Sequence, residues 1–421
     1  MMLTVFAILF SSDFSWVEEN YMKKLMILGG SRYAIPVIKA AHELGAYVVT
    51  CDYLPDNIAH KYSDEYCNVS IIDKDAVLEA ARSLVIDGIT SFGCDPGVVT
   101  AAYVAERLGL PSVGSYEAVS ILQNKGKFRK FLSDNGFNVP TAKQYTVLED
   151  AAKDVGMFHW PVIVKPTDSA GSKGVTKVEK SSDLAVAVEH ALNNSISKEF
   201  IIEDFIEKKG CSSDSDCFSV NGTLKFVSFS AQRFDRMAVN PYAPAAFSWP
   251  STLSKQHENE LTREIQRLIT LLDLKTSIYN IETRECTDGK AYIMECSPRG
   301  GGNRLAEMIR FSTGVDLIKA TVLAALGENV DEVEQRSYNS HWAEVILHSD
   351  SEGIFDSLFV SDEIKDNVVE KDLWVSQGDS VRNFTGANET IGTLVLRFDD
   401  ESKMLNVIDN IDKYVRVVTV T

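Results

Sequence analysis

The chain has 421 residues, 45% apolar and 24% charged, enough to bury the cores of roughly two to four domains. Its formal net charge of −18 repels phosphate backbones and anionic lipid, which argues against nucleic acid and membrane surfaces as partners. Seven cysteines with no C-x-x-C pair fit neither a disulfide framework nor a zinc cluster, and a reducing cytoplasm is the simplest compartment.

Leu3 to Phe10 is apolar but far shorter than the roughly 20 residues a spanning helix needs. It also lacks the basic flank and small-residue cleavage site of a secretory leader. Met22-Lys23-Lys24 followed by Leu25 to Leu28 reads as the start of an α/β domain, which leaves residues 1–21 as an N-terminal extension.

From 24 to 120, short apolar strands alternate with amphipathic helices, the pattern of a parallel sheet covered on both faces. Leu25 to Leu28 forms the first strand, and Gly29-Gly30-Ser31 turns into a helix stopped by Gly45. Tyr47 to Cys51 is the second strand, ending at Asp52; Ile89 to Phe92 is a later one, followed by a turn through Asp95 and a helix from Val98 to Leu108. Ligands in such sheets lie at the carboxyl ends of strands, the end that carries Gly29, Asp52 and Asp95.

Residues 125 to 205 read as a small α+β unit. It has a basic helix (Lys125, Lys127, Arg129, Lys130) and a strand from Pro161 to Lys165. Asn221-Gly222 and Asp288-Gly289 each predict a hairpin; the second joins Ser277 to Arg284 with Lys290 to Cys296. Between the hairpins a helix from His257 to Leu272 carries a leucine and isoleucine stripe. Beyond 331 the pattern is short strands with acidic turns.

Two constellations carry chemistry. Asp168-Ser169-Ala170-Gly171-Ser172-Lys173-Gly174 follows the strand ending at Lys165, and a small-residue loop flanked by lysines lets backbone N–H groups approach phosphate oxygens. It is not a P-loop. Glu282 and Glu295 fall nearly opposite each other across the Asp288-Gly289 hairpin in an apolar setting, where two carboxylates repel unless a divalent cation joins them. Arg299, four residues on, would face phosphates bound to such a cation. Cys296 points to the opposite face of its strand and reads as core.

The order Lys125, Lys165, glycine-rich loop, Glu203, Glu282, Glu295, Arg299 resembles the ATP-grasp superfamily from about Met22 to Gly327. Within it the chain resembles the carboxylate-amine ligases and the carbamoyl-phosphate synthase and biotin carboxylase branch. The resemblance implies an ATP-grasp fold: a doubly wound parallel-sheet domain at 22–122, two α+β lobes at 123–205 and 206–330, and a β-rich module at 331–421. It implies ATP with Mg²⁺, or Mn²⁺ in its place. Lys125 and Lys165 would contact the phosphates, Lys165 also serving catalysis, and Ser169, Gly171, Ser172, Lys173 and Gly174 would close over them. Glu203 would meet the adenine amino group, with the backbone of Asp204, Phe205 and Ile206 as hinge. Glu282 and Glu295 would hold the metal, and Arg299 would stabilise the transferred phosphate. In place of a frequent family Asn stands Ser297, a weaker metal ligand, and in place of a frequent ribose-binding Glu stands Ser212, with Glu207 as substitute.

The implied reaction activates a small-molecule carboxylate as an acyl phosphate and couples it to an amine; a homodimer is compatible with the resemblance. Arg233, Arg236, Asn303 and Arg304 are the candidates for substrate selection. The rivals are phosphorylation of bicarbonate, a non-catalytic ATP-binding module, and an oxidoreductase, the last lacking G-x-G-x-x-G.

Overall fold

In the computed structural model, the described residues are 22–420 apart from 170, 172, 236 and 237. The N-terminal extension at 1–21, Ser172 and Arg236 therefore lie outside them.

Strands β1 (Lys24–Leu28), β2 (Tyr47–Cys51), β3 (Glu65–Cys67) and β4 (Gly88–Ser91) form a parallel sheet in the order β3-β2-β1-β4. β1 is buried on both faces, which is why it reads as a continuous apolar run. Leu25 and Ile27 enter a core with helix α1 (Ile35–Glu43), and Met26 and Leu28 enter another with α2 (Lys74–Leu84) and α3 (Val98–Leu108). β1 and β4 are neighbours, so the loops after them meet at one end of the sheet.

Helices α4 (Tyr116–Gln123) and α5 (Lys125–Asp134) lead into an antiparallel sheet of β5 (Ala142–Tyr145), β6 (Val162–Pro166), β7 (Thr176–Val178) and β8 (Phe200–Asp204), ordered β5-β8-β6-β7. Helices α6 (Leu148–Lys153) and α7 (Leu184–Asn193) cover one face, where Val162, Val164, Phe200 and Ile202 are buried. By the two-residue period, Ile163, Lys165, Ile201 and Glu203 share the other face.

A second antiparallel sheet contains β9 (Ser213–Val220) and β10 (Thr223–Val227), joined through Asn221 and Gly222, both at positive φ as a type I′ turn requires. β11 (Ala231–Phe234), β12 (Pro244–Trp249) and α8 (Lys255–Leu271) follow, then β13 (Ser277–Glu285) and β14 (Ala291–Ser297) complete the sheet in the order β10-β9-β13-β14. Helices α9 (Leu305–Thr313) and α10 (Leu317–Ala325) return the chain to the first domain, and Leu317, Ile318 and Val322 of α10 share a core with Val37 and Ile38 of α1.

The remaining chain adds β15 (His341–Leu347), β16 (Gly353–Val360), β17 (Val368–Leu373), β18 (Ser380–Val381), β19 (Gly392–Phe398), α11 (Glu401–Asp409), a short α12 (Ile411–Tyr414) and β20 (Val415–Val420). It does not make a sheet of its own throughout. β11 and β12 join β15, β19 and β17 in one five-stranded sheet, so residues 231–249 and the C-terminal strands are hydrogen-bonded together. Among the described residues no helix is long and apolar enough to cross a membrane.

The contact between the first domain and α10 admits no side chain at Gly88, where a Cβ would lie 2.2 Å from the Ala325 carbonyl oxygen. Gly88→Ala is expected to cost about 1–3 kcal/mol in guanidinium unfolding, since backbone must move to relieve the overlap. Gly156→Ala, with nothing within 4 Å, is the control and should stay within about 0.5 kcal/mol of the parent.

Candidate active site

The site is organised by α5. Asn124 caps it, its side-chain oxygen accepting from the Lys127 N–H at 3.0 Å, while the Lys125 N–H donates to the Thr167 carbonyl at the end of β6 (2.9 Å). The Lys125 ammonium then donates to the Ser169 carbonyl (2.9 Å) and lies 3.3 Å from Glu295. One side chain thus touches both the glycine-rich loop and the strand carrying Glu295, a candidate metal ligand. One turn on, Arg129 donates to the Met294 carbonyl (2.7 Å) and contacts Glu203 at 2.8 Å. The sequence showed Arg129 only as one of four basic residues on its helix; its position four residues after Lys125 is the signal that places both on one face.

Glu203 differs from expectation in one respect. Its carboxylate is 2% exposed and divided between Arg129 and Lys165, the latter at 2.9 Å, so any contact with an adenine amino group falls to the backbone of the segment that follows. Burial would raise this carboxyl, but Arg129 and Lys165 outweigh it and hold it down at about 2. Lys165 is itself pulled below its ordinary range by burial, with Glu203 opposing. In the hinge, Asp204 accepts from the His159 N–H (2.8 Å), the Phe205 N–H donates to the Pro161 carbonyl, Ile206 packs against Cys286, Tyr292 and Met294, and Glu207 is exposed.

The glycine-rich loop links β6 to β7. Gly171 and Gly174 are left-handed, and a Cβ on Gly174 would meet Pro166 at 2.8 Å. Lys173 is exposed, and Asp168 anchors the loop base by accepting from the Ser197 N–H (2.6 Å) and the Ser195 hydroxyl (2.9 Å).

Glu282 and Glu295 are direct cross-strand partners, as the hairpin spacing required. Glu295 is the exposed residue in an otherwise buried β14, and Cys296 is 3% exposed in the core behind it. The protein crowding the cleft around Glu295 would raise its carboxyl by displacing water, but Lys125, Lys165 and Arg129 outweigh that and lower it. Asp214 lies opposite Glu282 in the register, and Asp216 opposite Asn280. Burial and then the charge of Glu282 push the Asp214 carboxyl up to about 7, and burial does the same to Asp216. Glu282 is paired with Arg284 at 2.7 Å and Glu295 with Lys125 at 3.3 Å, so a divalent cation would take the place of these side chains on two facing carboxylates, whose oxygens are the donors a hard cation needs. The Ser297 hydroxyl is engaged by the protein, donating to Asp95 (2.8 Å) and accepting from Gln123 (2.7 Å), which leaves it one lone pair.

Arg299 is fixed by a residue the sequence placed at the ligand end of the first sheet without pairing it. Asp95 takes Nε at 2.9 Å and Nη2 at 2.7 Å, while Nη1 donates to the Asn280 side-chain oxygen at 3.1 Å. The next three glycines lock the turn. The Gly300 carbonyl accepts from the Gly93 N–H (3.0 Å), a Cβ on Gly300 would lie 2.2 Å from the Phe92 ring, and the Gly301 N–H donates to Asp216 (2.9 Å). Of the substrate-selection candidates, Arg233 pairs with Asp409 (2.7 Å), Arg304 with Glu307 (3.0 Å) and Glu370 (2.6 Å), and Asn303 accepts from the Tyr33 hydroxyl (3.0 Å).

With this geometry in view, residues 158–307 match the ATP-grasp domain model. Those residues carry an ATP-grasp domain, and the chain as a whole has the fold of solved ATP-grasp structures. Among sequence relatives, the carbamoyl phosphate synthase large chain of Thermoanaerobacter sp. is 26% identical over 228 residues, 53% of this chain and 20% of that one. The chain therefore spans about a fifth of the length of such relatives. Among solved structures, an L-amino acid ligase from Bacillus licheniformis superposes with a TM-score of 0.78 at 19% identity, covering 95% of this chain and 99% of that one. A phosphoribosylglycinamide synthetase from Anaerococcus prevotii does so with a TM-score of 0.72 at 21% identity, covering 94% and 100%.

The Arg129–Glu203–Lys165 cluster predicts a pH signature. Glu203 is held below its ordinary 4.5, so its stabilisation is complete above that pH and lost as pH falls toward about 2. Arg129→Met leaves one buried cation for Glu203 and should cost about 3–5 kcal/mol at pH 7, less at pH 3, in urea unfolding. An equal cost at both pH values would contradict the assignment.

Proposed function

We propose that this protein is an ATP-dependent ligase that transfers the γ-phosphate of ATP to a small-molecule carboxylate and couples the acyl phosphate to an amine, releasing ADP and phosphate. The observation that carries this reading is the Lys125 ammonium, which contacts the glycine-rich loop and Glu295 at once and so brings the phosphate-binding and metal-binding elements to one point. Lys125 and Lys165 supply positive charge for the triphosphate, and Glu282 and Glu295 would hold Mg²⁺. The cation, when bound, neutralises phosphate charge and orients the γ-phosphoryl group. Arg299 presents its guanidinium where charge develops on the transferred group, held there by Asp95 and Asn280 before any substrate arrives.

No protein nucleophile is required, in keeping with Cys296 being core. The names of the structural neighbours, an L-amino acid ligase and a phosphoribosylglycinamide synthetase, support carboxylate–amine coupling. The match to carbamoyl phosphate synthases favours bicarbonate as the second reading, and mass spectrometry of the product separates the two. All seven cysteines are free thiols, which supports a cytoplasmic setting.

A phosphate-release screen pairing amino acids, hydroxy acids and sugar-linked carboxylates with amines should reveal acceptor-dependent ADP formation. Lys165→Ala and Glu295→Gln should each lower it by on the order of 10²–10³ or more while far-UV dichroism stays native. Full activity in either variant rejects the site.

Asp95→Asn tests the grip on Arg299. It keeps the shape but removes the charge, and should reduce kcat by about 10–100-fold with the KM for ATP changed by less than about threefold. A change confined to the KM for ATP would place Arg299 in nucleotide binding alone.

A further inference from the structure

Arg233, Arg299 and Arg304 spend their charge on carboxylates of the protein itself. Arg32 does not. It follows the Gly29-Gly30-Ser31 turn at the carboxyl end of β1, is half-buried, and has no carboxylate partner among the described residues. Its guanidinium instead lies over the Trp374 ring, 4.7 Å from the centroid. Trp374 is a fixed platform: its backbone N–H donates to the Ile391 carbonyl and its indole N–H to Asp372, both at 2.8 Å. A guanidinium held over a ring by cation–π attraction spends no N–H on a carboxylate of the protein, and its fork of donors suits a planar carboxylate bound by two parallel hydrogen bonds. Beside it the Ser31 hydroxyl oxygen is buried with no hydrogen-bond partner among the described residues, an unmet polar group at the same turn.

Tyr33, the following residue, packs on Gly93 and Gly302 and donates to Asn303, which sets the Ser31-Arg32 segment beside the turn that follows Arg299. Arg299 is held by Asp95 and Asn280 and Arg32 by Trp374, so among the described residues the two guanidiniums are separate grips. One guanidinium and one hydroxyl match the single charge of a carboxylate better than the double charge of a phosphomonoester.

We propose that Arg32, stacked on Trp374 and assisted by Ser31, grips a non-reacting carboxylate of the substrate, so that one of the two molecules joined carries a second, spectator carboxylate, as an amino acid coupled through its amine does. This rests on the ligase reading and narrows its substrate class.

The test is calorimetric titration of the full chain loaded with MgADP, using each L-amino acid, the corresponding primary amide, and inorganic phosphate as probes. At least one acid should bind the parent protein about tenfold or more tighter than its amide. Arg32→Ala should bind that acid no better than the amide, with affinity for the amide and for ADP unchanged, and Arg32→Lys should recover part of the preference. Absence of acid binding to the parent, an acid preference that survives in Arg32→Ala, or Arg32-dependent binding of phosphate tighter than of any acid overturns the proposal. Failure of the ligase reading shows separately, as absence of MgADP binding to the parent or full activity in Lys165→Ala and Glu295→Gln.

Discussion

The cleft depends on keeping a lysine charged where water is scarce. Lys165 is 7% exposed, and burial alone drives an ammonium toward its neutral form. Glu203 at 2.9 Å opposes that drift, and Arg129 on the other side keeps Glu203 ionised in turn. Two cations around one carboxylate leave a net positive charge on the cluster, the sign that the proposed phosphate binding needs. The same arginine donates to the Met294 carbonyl, so the ion cluster also ties the small-lobe sheet to the strand bearing Glu295. Charge and lobe geometry are set by one side chain.

The opposite wall works by the same logic with the signs reversed. Asp214, Asp216, Glu282 and Glu295 concentrate negative charge along the paired strands β9, β13 and β14, and Arg299 and Asn280 lie among them. At rest these charges are matched within the protein, Lys125 with Glu295, Arg284 with Glu282 and Arg299 with Asp95. Under the proposed function, a magnesium nucleotide would bring both signs at once, positive charge for the glutamates and negative for the lysines and arginines, and so could replace these pairs without leaving a charge unmatched. A nucleotide without metal would match only half of them.

What the sequence made legible was local. Strands β1 and β2, helix α3 and the two hairpins follow from apolar period and from Asn-Gly or Asp-Gly turns, and the hairpin spacing alone sets Glu282 against Glu295. What it hid depends on closure of the chain. Asp95 and Arg299 are 204 residues apart, and no period or turn rule links them. Ser297 has the right position for a ligand, yet its hydroxyl is taken by Asp95 and Gln123, neither of them near in sequence. Glu203 was visible as a functional carboxylate, but its partner Arg129 looked like one more charge on a basic helix. The five-stranded sheet was equally opaque, because β11 and β12 find their neighbours only after the chain has returned at β15.

That sheet bears on the chemistry through the turn after Arg299. Asn303 and Arg304 both adopt positive φ, a conformation that costs free energy in residues with side chains and persists where surrounding contacts over-determine it. Those contacts come from every part of the molecule: Tyr33, Phe92 and Gly93 from the first domain, Asp216 from the large lobe, and Glu370 and Thr393 from the C-terminal strands. A turn held from three sides cannot shift Arg299 without disturbing at least two interfaces. The C-terminal strands, which carry none of the proposed phosphate or metal ligands, therefore help to fix Arg299, and under the proposed ligase reading that sets the guanidinium in place before a phosphate moves.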